Sequence, residues 1–415
     1  MNLITSKPAR FLLGPLQLLL FILPFSAIFL AIPALAPLDA VLNLLGTVCI
    51  ALSVAYIFFA DDICVSLEGS IPLFAVLAFY ALSISWSPVE LRSNSVHDTV
   101  RMLLTVLQAF VVVNVLGREA LFRTLKHIAI FVVVLNLGFI FAFPAQASWY
   151  FEDATRTQGL FSSPNNMGQF LAFAFIVINL FEPRSLPWLV LLALDAAIVY
   201  QLLRCDSMTS LGGVIVIFIA YRIRFLMRPL FYVVIGLGLL VPFLSQIMGS
   251  TDMPLGINNR DLTFTGRTDV WEIIRSDLAA QDRVATGFGS GGYWLSKEEY
   301  NPFSHIHELS WDPGQGHNGY MDVLVNTGVV GLVFVLLFLF AMIGSIFRRV
   351  PWSEPVAYFL PLIVLFNNIT EASLFREKHL YFVLLLLVFW YLFLEPAEAA
   401  EPEAEPDGTL LAQPN

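Results

Sequence analysis

Uncharged apolar stretches recur along the chain at a spacing that fits helices crossing a hydrocarbon core about 30 Å thick, each needing roughly 20 residues. The pattern predicts spans at Phe11–Ile32, Leu38–Ala60, Ile71–Trp86, Val100–Leu116, Leu125–Phe143 and Asn166–Phe181. Further spans are expected at Trp188–Leu203, Met208–Tyr221, Leu230–Met248, Tyr320–Phe347, Val356–Asn367 and Leu380–Leu394. The short alternating segments of a membrane barrel are not seen, so the backbone must satisfy its hydrogen bonds within helices. The expected fold is all-α: a polytopic membrane bundle of about twelve transmembrane helices with one large polar loop, Gly249–Gly319. The expected organisation is nine spans in 1–248, the loop in 249–319, three spans in 320–394 and an acidic tail in 395–415.

Orientation follows from Lys and Arg. An N-terminus on the inner side places eleven basic residues in inner segments and six in short outer loops, as the positive-inside rule favours. The large loop is then external and both termini cytoplasmic. The apolar N-terminal run before Ala34-Leu35-Ala36 is longer than a signal-peptide core, so cleavage there is not expected.

Composition sharpens the class. The chain of 415 residues is 58% hydrophobic and 13% charged, against about 25% charged in soluble domains. Six acids in the Pro/Ala/Glu-rich tail account for much of the net charge of −10, so acidity says little about partners, and that tail reads as disordered. No nucleic-acid partner is expected. Cys49, Cys64 and Cys205 offer no external pair for a disulfide. A Gly-x-x-x-x-Gly-Lys-Ser/Thr phosphate loop and an Asp-x-Asp pair are both absent. His305-Ile306-His307-Glu308 lacks the spacing that completes a metal site and reads as loop histidines, so no metal or cofactor is expected. Asp195 is the clearest ionisable residue inside a span, fitting either a paired structural role or a functional one.

The groups that look chemical gather in and near the large loop. In Gly266-Arg267-Thr268-Asp269-Val270-Trp271, Asp269 and Glu272 have capping-box spacing, and Val270, Ile274 and Leu278 form one apolar stripe. Arg267 then stands beside a helix N-terminus, where an anion is favoured and a guanidinium can grip phosphate oxygens bidentately. A solvated Arg beside a cap fits the spacing equally. Gly287-Phe288-Gly289-Ser290-Gly291-Gly292-Tyr293-Trp294 offers backbone and stacking surface for sugars, or is simply a set of turns. His317 precedes Asn318, a plausible N-cap of the tenth span. A histidine there can accept a proton, or can bond to a neighbouring loop.

Together these stretches resemble the O-antigen ligase/polymerase superfamily, most closely its exopolysaccharide polymerase branch. The resemblance rests on the ordered series Gly266-Arg267-Thr268…Trp271, Gly287-Phe288-Gly289…Trp294 and His317-Asn318-Gly319-Tyr320…Gly328-Val329-Val330-Gly331. Ser85-Trp86-Ser87-Pro88 with Arg101, the stretch Gly159–Gly168, and Asn368-Ile369-Thr370-Glu371-Ala372 are similar too. Two departures stand out: Met208 occupies a position usually basic, with Arg204 one turn away, and Ser163-Pro164 replaces a usual His-Lys.

The resemblance implies a GT-C-like bundle in the bacterial inner membrane. It implies metal-independent transfer of a polyprenyl-pyrophosphate-linked oligosaccharide onto a sugar hydroxyl of a second lipid-linked unit at the periplasmic face. His317 is the expected base, and Arg267 and Arg204 the expected pyrophosphate ligands. Arg101, Arg156, Glu371, Trp271 and Asn318 are expected around the substrate. Membrane lipid and polysaccharide export or chain-length proteins are the other implied partners. A ligase handing glycan to lipid A-core or protein, and a solute transporter using the same bundle, are the alternatives.

Overall fold

The computed structural model describes residues 11–22, 32–60, 63, 65–67, 69–151, 154–181, 186–249, 256–257, 260–261, 267–294, 305–306, 309 and 313–394. The acidic tail, Gly266, His307 and Glu308 lie outside them. Twelve α-helices appear among the described residues. They are α1 Gln17–Ile22, α2 Ala36–Phe59, α3 Ile71–Ser83, α4 Arg92–Ala142, α5 Pro164–Leu180 and α6 Trp188–Cys205. The rest are α7 Met208–Arg222, α8 Met227–Gly249, α9 Arg267–Ala280, α10 Gly319–Arg349, α11 Val356–Asn367 and α12 Leu380–Tyr391. Two small antiparallel hairpins, β1–β2 (Ser148–Phe151 with Ala154–Thr157) and β3–β4 (Gly256–Ile257 with Arg260–Asp261), are the only strands among the described residues.

The all-α class holds, but about twelve membrane spans do not. Among the described residues five helices are long and apolar enough to cross a membrane: Pro33–Phe59, Val89–Ala142, Trp188–Cys205, Arg224–Phe243 and Gly319–Arg349. Hydropathy overcounted for two physical reasons. The expected fourth and fifth spans fall in one continuous element, α4, two helical segments joined end to end at Gly117, whose φ of 68° only glycine adopts cheaply. Other apolar runs form helices too short for the hydrocarbon core: α11 and α12 have 12 residues each, or about 18 Å of rise. Apolar helices of that length are commonly buried core elements. Here every residue of α12 from Tyr381 to Tyr391 and of α11 from Val356 to Leu365 is buried.

The centre of the bundle is therefore protein against protein. Trp390 meets Phe110 of α4 edge-on at 5.0 Å and Phe389 at 4.9 Å. Such packing, rather than exclusion from water, holds helices together in an apolar environment. The polar residue inside a span is paired: Asn179 Nδ2 of α5 donates to Asp195 Oδ1 of α6 at 2.8 Å.

Helix α10 organises the polar end. Pro242 inside α8 has no N–H to give, which leaves the Gly238 carbonyl without its helical donor. Asn318 Nδ2 fills that place at 2.9 Å and also donates to Ile369 O at 2.9 Å. Its Oδ1 accepts from the Tyr320 and Met321 amides at 3.0 and 2.9 Å, capping α10. One buried amide thus joins α8, α10 and the turn after α11.

Nine residues into α10 the helix breaks at Gly328 (φ 64°). The glycine loop seats in the break through four backbone bonds: Phe288 N to Val325 O, Gly289 N to Asn326 O, Val329 N to Val284 O and Val330 N to Ala285 O, at 2.8–3.1 Å. A Cβ at Gly328 would stand 2.3 Å from the Ala285 backbone, and one at Gly287 2.5 Å from that of Asn326.

Candidate functional site

Glu371 is the centre of a charged cluster built from four parts of the chain. It lies just past α11, and the Asn368 side chain fixes its turn. That side chain's Oδ1 accepts from Ser373 N and Leu374 N at 2.9 and 3.1 Å, and its Nδ2 donates to Val364 O at 2.7 Å. The Gly319 amide donates to Asn368 O at 3.0 Å, so this turn is held against the first residue of α10. Only glycine fits at 319, since a Cβ there would meet Asn368 Oδ1 at 2.0 Å.

The Glu371 carboxylate is 6% exposed. Arg267 Nη2 donates to its Oε1 at 2.7 Å, Asn165 Nδ2 donates to the same oxygen at 2.8 Å, and His317 Nδ1 faces Oε2 at 3.5 Å. Burial pushes such a carboxyl up, but the His317 hydrogen bond and the Arg267 charge outweigh it and hold it below the ordinary range. A buried carboxylate that stays ionised gathers cations, which fits its position here.

Arg267 is the first residue of α9. The helix starts three residues earlier than the capping-box spacing suggests, so Asp269 sits in the first turn, where a carboxylate still suits the dipole. Val270, Ile274 and Leu278 are all buried, as the stripe predicts. Glu371 takes one N–H of Arg267; a guanidinium has five.

His317 adopts φ 47°, the left-handed region that non-glycine residues seldom enter. The strain, of order 1–3 kcal/mol, is held by bonds on both sides. Gly316 N donates to Asp322 Oδ1 at 2.7 Å, Gly316 O accepts from the buried Trp271 indole at 2.6 Å, and Asn318 caps α10. Backbone strain maintained this way is common where a side chain must point to one place. Gln315 Nε2 stands 3.3 Å from His317 Nδ1, so that nitrogen lies between an amide donor and the Glu371 acceptor. Either ring tautomer is satisfied there. Arg376 donates to Gln315 Oε1, extending the network by one cation.

Arg156, on β2, joins at one remove: its Nη2 donates to Asn165 Oδ1 at 3.0 Å. It also closes the end of α6, donating to Cys205 O and Asp206 O at 3.1 and 2.9 Å. The structure thus brings together Arg267, His317 and Glu371, with Arg156 bridged through Asn165. Trp271 and Asn318 hold the backbone beneath them. Arg101 stands apart, exposed and paired with Glu377 at 3.1 Å. Arg204 is exposed and shares no hydrogen bond or ion pair with any described residue, and Met208 is exposed as well.

Sequence reasoning missed three members as site residues. Asn165 lies in the Gly159–Gly168 stretch but was not singled out there. Gln315 and Arg376 carry no motif, and only the fold places them beside His317. The loop aromatics expected to stack sugars are instead interior: Phe288 and Tyr293 are buried against α9. His305 Nδ1 bonds the buried Asp277 carboxylate, which also accepts from Tyr293 OH at 2.8 Å. No group of three potential metal ligands occurs among the described residues.

Residues 188–336 match the family described as O-Antigen ligase. That segment runs from α6 into α10 and contains Arg267 and His317 but not Glu371. The chain is also 24% identical over 284 residues to the exopolysaccharide production protein ExoQ of Rhizobium meliloti (strain 1021), covering 64% of this chain and 63% of that protein. It therefore spans less than two thirds of that relative's length. The matched segment takes in the large loop and the first part of α10, where the ordered motifs lie, and over it the chain is similar to the O-antigen ligase family.

Proposed function

We propose that the protein transfers a glycan from a polyprenyl-pyrophosphate carrier to a hydroxyl acceptor at the outer face of the membrane, a reaction of the O-antigen ligase type. The observation that carries this reading is Glu371: one buried carboxylate gathers a guanidinium and an imidazole at the start of two helices. In the reaction the acceptor oxygen bonds to the anomeric carbon of the donor as the bond from that carbon to the pyrophosphate oxygen breaks. The electron pair leaves with the polyprenyl pyrophosphate, and the hydroxyl proton passes to His317. Arg267, oriented by Glu371 through one N–H, offers its remaining donors to the leaving phosphate, where charge develops. Arg156 and Arg376 add positive potential behind it.

An apolar cavity of about 360 Å³ beside Asn318 supports a lipid-linked donor. Pro242, Phe243, Leu278, Leu324 and Leu332 line it, with Arg275 among them. Such a wall suits isoprenoid chain next to a phosphate group.

The family description favours a ligase acceptor. The ordered motifs and the exopolysaccharide production relative favour a second reading, in which the acceptor is another lipid-linked repeat unit and the product a polymer. Glycan analysis of a deletion strain separates them. Long lipid-linked polymer with an unmodified acceptor marks a ligase; single repeat units on the carrier with no high-molecular-weight polysaccharide mark a polymerase. A strain with wild-type glycans would contradict both.

A further inference from the structure

A second cavity, of about 400 Å³, lies between α1, α2 and α4. Unlike the apolar one, its lining is half polar: beside aliphatic and aromatic side chains it carries Gln17 of α1, Asp39, Asn43 and Thr47 of α2, Gln108 of α4, and Lys378. Asp39, Asn43 and Thr47 follow at intervals of four, so they form one stripe along a helix that is otherwise apolar and exposed. A polar stripe facing hydrocarbon is costly, and such residues normally face a partner or a water-filled space.

The floor of the slot carries unspent hydrogen bonding. Gln17 is 1% exposed. Its Oε1 accepts from Ser53 Oγ at 3.3 Å, while its buried Nε2 has no hydrogen-bond partner among the described residues. Gln108, buried opposite, shows no side-chain hydrogen bond to any described residue. Leaving a buried donor unmet costs about 1–3 kcal/mol. On the rim Asn43 Nδ2 donates to Asp39 Oδ2 at 3.1 Å, which presents an acceptor pair.

Lys378 ties the slot to the charged cluster. It belongs to the turn between α11 and α12 that also carries Glu371, and the Arg101–Glu377 bond holds this turn against α4. Arg101 and Gln108 are two helical turns apart on α4, so the same helix edge bears both.

We propose that this slot is a second binding site, for an uncharged, hydroxyl-rich sugar ring, and that it holds the acceptor glycan. Carboxamides and a carboxylate can each meet two neighbouring hydroxyls, as donor and acceptor or as acceptor pair. The acceptor assignment rests on the transfer reaction proposed above; sugar binding itself does not.

The test is saturation-transfer NMR on the full chain in phosphatidylglycerol nanodiscs, with the methyl glycosides of glucose, galactose and N-acetylglucosamine. Replacing Gln17 and Asn43 by Leu gives up one long bond to Ser53 and one to the exposed Asp39 while removing the unmet Gln17 donor, so the double variant is expected to fold. At least one glycoside should receive saturation from the wild type and from His317→Ala. The Gln17→Leu/Asn43→Leu protein should bind it about tenfold more weakly, the loss of one to two net hydrogen bonds. Saturation of none of the glycosides, or equal binding by the double variant, would overturn the site. Displacement of glycoside by phosphatidylethanolamine in the disc, lost in the same variant, would assign the slot to a lipid headgroup and overturn it also. In transfer assays the double variant should raise KM for acceptor and leave kcat unchanged; an unchanged KM would remove the acceptor assignment alone. Failure of the transfer reading has a separate signature, a wild type that binds glycoside and transfers nothing.

Discussion

Two segments of the large loop meet α10 within a dozen residues of each other, and they behave in opposite ways. The glycine loop enters the break at Gly328, where its backbone is paired and its aromatic rings are interior. The Arg267 end of α9 meets the His317 end of α10 through side chains around one carboxylate, with donors to spare and a strained backbone beneath. The first contact is saturated and fixes geometry. The second has capacity for a ligand. Richness in glycine and aromatics thus marks the scaffold here, and an isolated Arg and His mark the cluster to which the proposed reaction assigns the chemistry.

The comparison breaks most readily at the scaffold. Gly328→Ala adds a Cβ 2.3 Å from backbone at a left-handed φ. It should cost about 3 kcal/mol or more, read as loss of monodisperse protein in gel filtration. A folded, fully active variant would show that the loop is not keyed into α10.

Arg267→Lys should fold normally and lose about 10²-fold in transfer rate, because the charge remains while the planar fork does not. Equal loss of folded protein would instead make Arg267 a structural partner of Glu371.

A smaller effect concerns acid. His379 caps α12, with its Nδ1 accepting from Tyr381 N at 3.3 Å, and burial followed by the Arg376 charge pushes it down to about 3. The unfolded chain takes up that proton near pH 6.5, so between about 6.5 and 3 the unfolded state binds more protons and stability falls with falling pH. Glu371, held below its usual range, contributes stability that is lost only as pH falls further. The melting temperature should therefore drop between pH 7.5 and 5, and His379→Asn should flatten that drop. An unchanged slope in the variant would place the acid sensitivity elsewhere.

The class of fold was legible because hydropathy reports burial from water, and the helices are where the apolar runs are. The span count was not, because hydropathy cannot tell a helix buried in protein from one facing lipid. α11 and α12 are as apolar as any span, yet too short to be one. Arg267 and His317 were readable from their places at helix starts. Their meeting was not, since Glu371 lies 104 residues beyond Arg267. Asn318 read correctly as a cap, but its second task depends on Pro242, and nothing in the local sequence links them. Arg204 and Arg101 illustrate the converse: basic residues in motif-like stretches that share no hydrogen bond or ion pair with Glu371 among the described residues.

The central claim is that His317, held by Glu371, accepts the proton of an attacking hydroxyl. The direct measurement is glycan transfer by the purified protein from a polyprenyl-pyrophosphate-linked oligosaccharide, without an ion gradient, comparing wild type with His317→Ala at matched melting temperature. The wild type should release polyprenyl pyrophosphate as it glycosylates the acceptor, and the variant should do so about 10²–10⁴-fold more slowly. Equal rates for the two proteins, or movement of glycan only when a gradient is imposed, would contradict the account.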